Sequence, residues 1–229
     1  MTVVVSGASR GIGRELINFF LEKKGCRVIA ISSHPEKFKA LAKKKNFHAV
    51  KGDFTADDSI HKITEDIRAI TNEVTVLINN AGSLVNKPFG KITTKELELT
   101  YRVNVFAPFL LAQHLLPLMG KKSRAHIVNI GSMGGFQGSA KFAGLSAYSS
   151  SKGALSVLSE CLAEELKDKN ICSNCLCLGA VNTEMLQQAF PGYKAKTTPK
   201  EMAAFIGNFA LTGHQQFNGK VLPVSISTP

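Results

Sequence analysis

A short β-branched run, TVVVS over residues 2–6, leads directly into Ser6-Gly7-Ala8-Ser9-Arg10-Gly11-Ile12-Gly13, and helical periodicity then begins in ELINFFLEKKG. Few folds accommodate strand, glycine-rich turn and helix in such close succession. The three glycines permit a tight turn, a close approach of backbone to a pyrophosphate, and packing of the helix on its sheet. The helix N-terminus offers unpaired N–H groups to an anion. A glycine-rich loop alone is common; the flanking strand and helix give this one its weight.

The alternation continues down the chain. Strands are predicted over 27–31, 48–51, 74–78 and 126–130, in a sixth run ending near Leu178, and over 219–226. Helices are predicted over 36–45, 56–71, 94–119, from Tyr148 to about 167, and over 199–210. Such a pattern predicts an α/β fold with a doubly wound parallel sheet of about seven strands, helices on both faces, and a ligand crevice at the strand C-termini. With 229 residues and 44% apolar content, one domain over 1–229 is expected. The glycine, proline and lysine content of the segment near 182–198 suggests a substrate lid. Pro223 fits a last strand at a sheet edge.

Lys and Arg number 28 against 17 Asp and Glu, a net charge of +11 that raises the question of nucleic acid or an anionic membrane. Clusters such as Lys43-Lys44-Lys45 and Lys121-Lys122 are scattered among helix ends and loops, without interleaved aromatics for base stacking. They read as solvated surface, so neither nucleic acid nor membrane is expected as a partner. No long uncharged apolar run or leader pattern is present, so a soluble cytoplasmic protein is expected. Cys26, Cys161, Cys172, Cys175 and Cys177 are an odd set, expected to be reduced there. CSNCLC lies in a buried-strand pattern where residues three apart face opposite ways, so small core hydrophobes are expected and no metal site.

Tyr148 precedes Lys152 by one helical turn, which stacks both side chains on one face. A phenol titrates near ~10, and an ammonium ~4 Å away at an effective dielectric of ~20 would bring it toward neutrality. Alone, the pair reads as an ordinary contact on a solvated helix. Other polar residues fall at predicted strand ends: Ser32-Ser33-His34 after the second strand, Asn79-Asn80-Ala81-Gly82 after the fourth, and Gly131-Ser132 after the fifth. No acid follows the second strand to bind a ribose 2′-hydroxyl, and Arg10 sits in the glycine loop, so NADP(H) is favoured over NAD(H). Asp53 either meets an adenine amino group or caps the next helix. Asn104 is a polar residue within apolar VNVFAPFLLA, four positions before Pro108, which can disturb the backbone there. Leu84, Val85, Met133, Phe136, Phe142, Leu145 and the 186–197 segment either shape an apolar pocket or belong to the core.

Taken together, GASRGIG, NNAG, Asn104, Ser132, YSSSK and LGAVNTEM resemble, in order and approximate spacing, the motifs of the short-chain dehydrogenase/reductases, over nearly the whole chain. The resemblance implies a Rossmann fold and an oxidoreductase moving hydride between NADP(H) and a small carbonyl or alcohol substrate, most plausibly a ketone or aldehyde reductase. It implies Tyr148 as general acid/base, Lys152 lowering its pKa and binding the nicotinamide ribose, Ser132 orienting the carbonyl, and Asn104 completing a proton relay through a water. Gly7, Ser9, Gly11, Ile12 and Gly13 would frame the diphosphate, with Arg10 and Ser33 toward a 2′-phosphate and Asp53 toward adenine. Asn80, Ala81 and Gly82 would line the ribose side, and Val181 and Thr183 would hold the carboxamide. A homo-oligomer, dimer or tetramer, is also implied. The alternative is a non-catalytic NADP(H)-sensing or scaffold protein on the same fold.

Four departures stand out. Ser6 replaces the usual threonine and Leu178 the usual proline. Tyr148 follows Ser132 by sixteen positions, a few more than usual, with Phe142-Ala143-Gly144 as the surplus. The C-terminus GKVLPVSISTP lacks the paired glycines frequent in the family and is short.

Overall fold

Seven apolar runs become strands β1 (Thr2–Ser6), β2 (Arg27–Ser32), β3 (Phe47–Lys51), β4 (Val76–Asn79), β5 (Ala125–Ser132), β6 (Ile171–Leu178) and β7 (Val221–Val224). The computed structural model describes residues 1–56 and 58–226. The strands form one sheet in the order β3-β2-β1-β4-β5-β6-β7, and every pairing is parallel. The helices are α1 (Gly11–Leu21), α2 (Ser59–Ile70), α3 (Thr94–Tyr101), α4 (Ala107–Leu115), α5 (Ser146–Glu165), α6 (Glu184–Ala189) and α7 (Pro199–Thr212).

Both faces of the sheet are buried, which is why the strands read as nearly continuous apolar runs. Alternate residues of one strand serve different cores. Val3 and Val5 join Leu16, Phe20 and Ile206 of α1 and α7, whereas Val4 joins Ile63, Ile67 and Leu111 of α2 and α4. The strand order reverses between β1 and β4, so the C-terminal ends of these two strands open a crevice.

Two predicted helices differ. The lysine-rich stretch 36–45 forms only a 3₁₀ turn, Pro35–Phe38, followed by hydrogen-bonded turns. Phe38 is its one buried residue, and a segment with so few apolar anchors and so many like charges gains little by propagating a helix. The long helix over 94–119 is interrupted by a π turn, Arg102–Phe106, in which the Ala107 N–H donates to the Arg102 carbonyl. Pro108 has no N–H to give the Asn104 carbonyl, and the extra residue of the π turn absorbs that loss.

The segment near 182–198 carries α6 and closes on itself. Val181 bridges Thr197, and the Asn182 N–H donates to the Thr197 carbonyl at 2.9 Å. Strand β6 runs through Leu178, whose register partner is Val224, on to Gly179, whose N–H reaches the Val224 carbonyl at 2.9 Å. Pro223 lies on the edge strand β7. Among the described residues no helix is long and apolar enough to cross a membrane.

Candidate active site

Every residue assigned from sequence to cofactor or catalysis lines one cleft of about 860 Å³ along the strand C-termini, except Asn104, which stands behind it. Its floor is the glycine loop, held by β4. The Ser6 hydroxyl accepts the N–H groups of Asn80 and Ala81, both at 3.0 Å. The Asn80 amide donates back to the carbonyls of Ser6 (3.0 Å) and Gly7 (3.1 Å). Gly7 has φ +64°, and a Cβ there would lie 2.6 Å from the Ala81 Cα, so only glycine permits this approach. Serine in place of threonine therefore costs the stitch nothing, because the hydroxyl does the holding.

The loop delivers the start of α1 into the cleft. Arg10, at the N-cap, makes no side-chain cap, and the first turn carries no acid, so the leading N–H groups have no anionic partner from the chain itself. At the far end, Ser33 and His34 follow β2, and no carboxylate occupies the strand terminus. Asp53 accepts from the Thr55 N–H at 2.9 Å and hydroxyl at 2.7 Å, which hold its carboxyl below the usual range. Asp58, not Asp53, occupies the N-cap position of α2, so the capping alternative for Asp53 falls away. Arg10 is engaged: its guanidinium donates to Glu184 on α6 at 2.9 Å.

At the other end Ser132, Tyr148 and Lys152 meet. Lys152 is 3% exposed, and its Nζ donates to the Ile130 carbonyl at 2.7 Å. Burial brings its pKa down to about 8, with the nearby Cys175 and Cys177 thiols pulling in the opposite direction. The ammonium stands over the Tyr148 ring, 5.9 Å from its centroid. Burial pushes the Tyr148 phenol above its ordinary value while the Ser132 hydroxyl pulls it down. The depressed tyrosine expected from the Tyr–Lys spacing is not found in the free protein, where desolvation outweighs the Ser132 hydrogen bond.

Asn104 acts through its neighbours. Its Oδ1 accepts the Ser83 N–H at 2.8 Å, and its Nδ2 donates to the Ser83 carbonyl and the Ser151 hydroxyl, both at 2.9 Å. Ser151 in turn donates to the Tyr148 carbonyl at 2.7 Å. The asparagine side chain therefore ties the loop after β4 to the helix carrying Tyr148. Thr183 caps α6, accepting the Leu186 N–H at 3.2 Å, and its methyl would lie 3.5 Å from a Cβ on Gly11.

Three cleft-side residues escaped the sequence reading. Lys37, in the lysine-rich stretch after β2, lines the cleft with Ser33. Glu184 follows Thr183 directly, but its pairing with Arg10 spans most of the chain and has no local signal. Asn86 donates to the Ala189 carbonyl at 2.6 Å, joining the loop after β4 to α6. Cys172, Cys175 and Cys177 lie buried on β6, as the strand pattern implied.

Comparison with known proteins agrees with this geometry. The family model described as short chain dehydrogenase matches residues 1–194. The chain belongs to that family. Its members use nicotinamide cofactors, and many are oxidoreductases acting on small molecules. Over 188 residues the chain is 32% identical to the 3-oxoacyl-(acyl-carrier-protein) reductase FabG of Aquifex aeolicus, covering 80% of this chain and 74% of that one. The RhlG/NADP active-site complex of Pseudomonas aeruginosa superposes with a TM-score of 0.83 at 26% identity, covering 98% of this chain and 94% of that one. A 4-hydroxyisoleucine dehydrogenase complexed with NADH gives 0.87 at 24% identity, covering 98% and 96%, a likeness of fold.

Proposed function

We propose that this dehydrogenase/reductase transfers hydride between NADP(H) and a carbonyl or alcohol, working chiefly as a ketone or aldehyde reductase. The observation that carries the proposal is the single cleft whose one end gathers Ser132, Tyr148 and Lys152 and whose middle receives the uncapped start of α1. That start fits a diphosphate, because N–H groups without an acidic or side-chain cap favour an anion. Gly7, Ser9, Gly11, Ile12 and Gly13 would hold it, with Val181 and Thr183 at the carboxamide. After β2 the cleft is lined by Ser33, His34 and Lys37 and by no carboxylate, and Arg10 lines the same cleft, which supports a 2′-phosphate and hence NADP(H). Asp53 would meet the adenine.

When bound, the cofactor supplies or accepts the hydride, and this chain's residues handle the proton. Ser132 donates a hydrogen bond to the carbonyl oxygen. Tyr148 gives its phenolic proton to that oxygen as negative charge develops there. A phenol kept protonated by burial is the competent acid for reduction. The Lys152 ammonium stabilises the tyrosinate left behind, and Asn104 completes the proton's return through a water. The segment near 182–198 serves as a lid on what we take to be one catalytic domain.

Phe106, Phe109 and Val157 are 53%, 46% and 58% exposed on and beside α4 and α5, apolar surface that a second copy would cover in a homodimer. The decisive experiment is titration with NADPH and NADH, followed by a carbonyl panel with wild type and Tyr148→Phe. Retained NADPH binding with abolished turnover is the expected result. Wild-type rates in the variant would exclude the role of Tyr148, and NADPH binding with no turnover by the wild type would make the chain a sensor or scaffold.

A further inference from the structure

The substrate end of the cleft is walled by three segments that meet at one residue. Asn86, on the loop after β4, donates to the Ala189 carbonyl at the end of α6, and its neighbour Lys87 donates its N–H to the Gly144 carbonyl at 3.0 Å. Gly144 has φ +86°, and a Cβ on it would lie 2.1 Å from the Asn86 Oδ1, so this contact depends on glycine. The tie brings Phe142, from the surplus residues before α5, against Phe190, from the far side of α6. Their ring centroids are 5.8 Å apart at an interplanar angle of 71°. Edge-to-face packing of this kind is attractive and yet separable, since Phe142 remains 49% exposed.

Charge is distributed unevenly in the cleft. Apart from Lys152, the charged lining side chains are Arg10, Lys37, Asp53 and Glu184, with His34 beside them, all along the cofactor-facing length. The substrate wall of Leu84, Met133, Phe142, Met185 and Phe190 has none. Cations do occur nearby, but they are turned away. Lys141, adjacent to Phe142, donates to the carbonyls of Phe136 and Ser139, each at 2.8 Å, and Lys87 pairs with Glu96.

We propose that the substrate is an uncharged carbonyl compound with an apolar, ring-bearing body, and that Phe142 and Phe190 form an aromatic gate which Asn86 holds over it. The proposal deepens the reductase reading and rests on it for turnover. A charged oxo acid would lose its hydration at this wall without gaining a counter-ion, whereas an aryl ketone exchanges water for ring and thioether surface. The carbonyl would point to Tyr148 and the ring toward the gate.

The test pairs kinetics with binding. With NADPH, kcat/KM for 1-tetralone should exceed that for pyruvate or dihydroxyacetone by roughly 100-fold. Phe142→Ala should raise the KM for tetralone about tenfold while changing kcat less, and Phe142→Leu should restore part of the loss. Saturation-transfer NMR with tetralone and the NADP⁺-loaded protein reads the pocket independently of chemistry. Tetralone binding weakened by Phe142→Ala, without any turnover, would uphold the gate and sink the reductase reading. Preferred turnover of pyruvate, no binding of tetralone, or selectivity indifferent to Phe142→Ala would overturn the proposal.

Discussion

The Arg10 guanidinium reaches from the glycine loop to Glu184, the first residue of α6, with Nη1 and Oε2 2.9 Å apart. The two side chains are 49% and 65% exposed, so the pair contributes at most about 1 kcal/mol to stability. On the proposed NADP(H) reading the pair competes with the cofactor, since the same guanidinium would serve a 2′-phosphate. Replacing Glu184→Gln frees the cation. NADPH affinity should rise up to about fivefold and NADH affinity should stay unchanged, as read by fluorescence titration. An equal shift for both cofactors would mean that Glu184 acts on the lid alone.

The buried Lys152 should make the proposed carbonyl reduction sensitive to alkali. Its pKa of about 8 in the free protein means the ammonium is present below that pH and lost above it. Once neutral, the lysine can no longer stabilise a tyrosinate at position 148. The kcat/KM for carbonyl reduction, measured between about pH 6 and pH 10, should fall above about pH 8. A profile flat to the alkaline limit would show that Lys152 keeps its charge throughout.

Ser6 is 2% exposed and is the acceptor for two backbone N–H groups at the end of β4. Ser6→Ala leaves the Ala81 N–H without its acceptor and the Asn80 N–H with only the Ile78 carbonyl, 3.1 Å away, at a cost of about 1–3 kcal/mol in urea unfolding. Ser6→Thr keeps the oxygen and should cost less. Equal losses in the two variants would place the effect in packing.

The strands were readable because a sheet buried on both faces forces long apolar runs, punctuated by Gly7, Gly82 and Ser132 where the chain turns toward the cleft. The motif residues were readable for the same reason: strand ends meet at one rim whatever the loops do. Side-chain partnerships were not. Nothing near Arg10 announces Glu184, and nothing near Asn104 announces Ser83 or Ser151, because these bonds are made by the folded backbone. Pro108 did signal disturbance, but whether a kink or a π turn results depends on the packing of α4. Tyr148 shows the limit most plainly, since spacing gives the reach of Lys152 but not the desolvation of the phenol.

His126, on β5, is fully buried and satisfied as a neutral ring. Its Nδ1 lies 3.1 Å from the Ala210 carbonyl, which can only accept, so the proton is on Nδ1. The Nε2 then accepts from the Asn174 amide at 2.9 Å. That amide cannot turn over to offer its oxygen, because Oδ1 accepts the Lys220 N–H and Nδ2 also donates to Phe217, both at 3.0 Å. A second proton would meet a donor in a dry site, beside His214 and Arg124. The folded pKa is accordingly brought down to about 4, first by burial, from 6.5. Between these values the unfolded chain binds the proton and the folded one does not, so stability is full above about 6.5 and falls as pH drops toward 4. Urea unfolding at pH 5 should show about 2 kcal/mol less stability than at pH 7 from this residue, and His214, also depressed by burial, adds in the same direction. His126→Gln should lower stability at both pH values yet flatten the difference between them. A slope as steep as that of the wild type would assign the acid sensitivity to other groups.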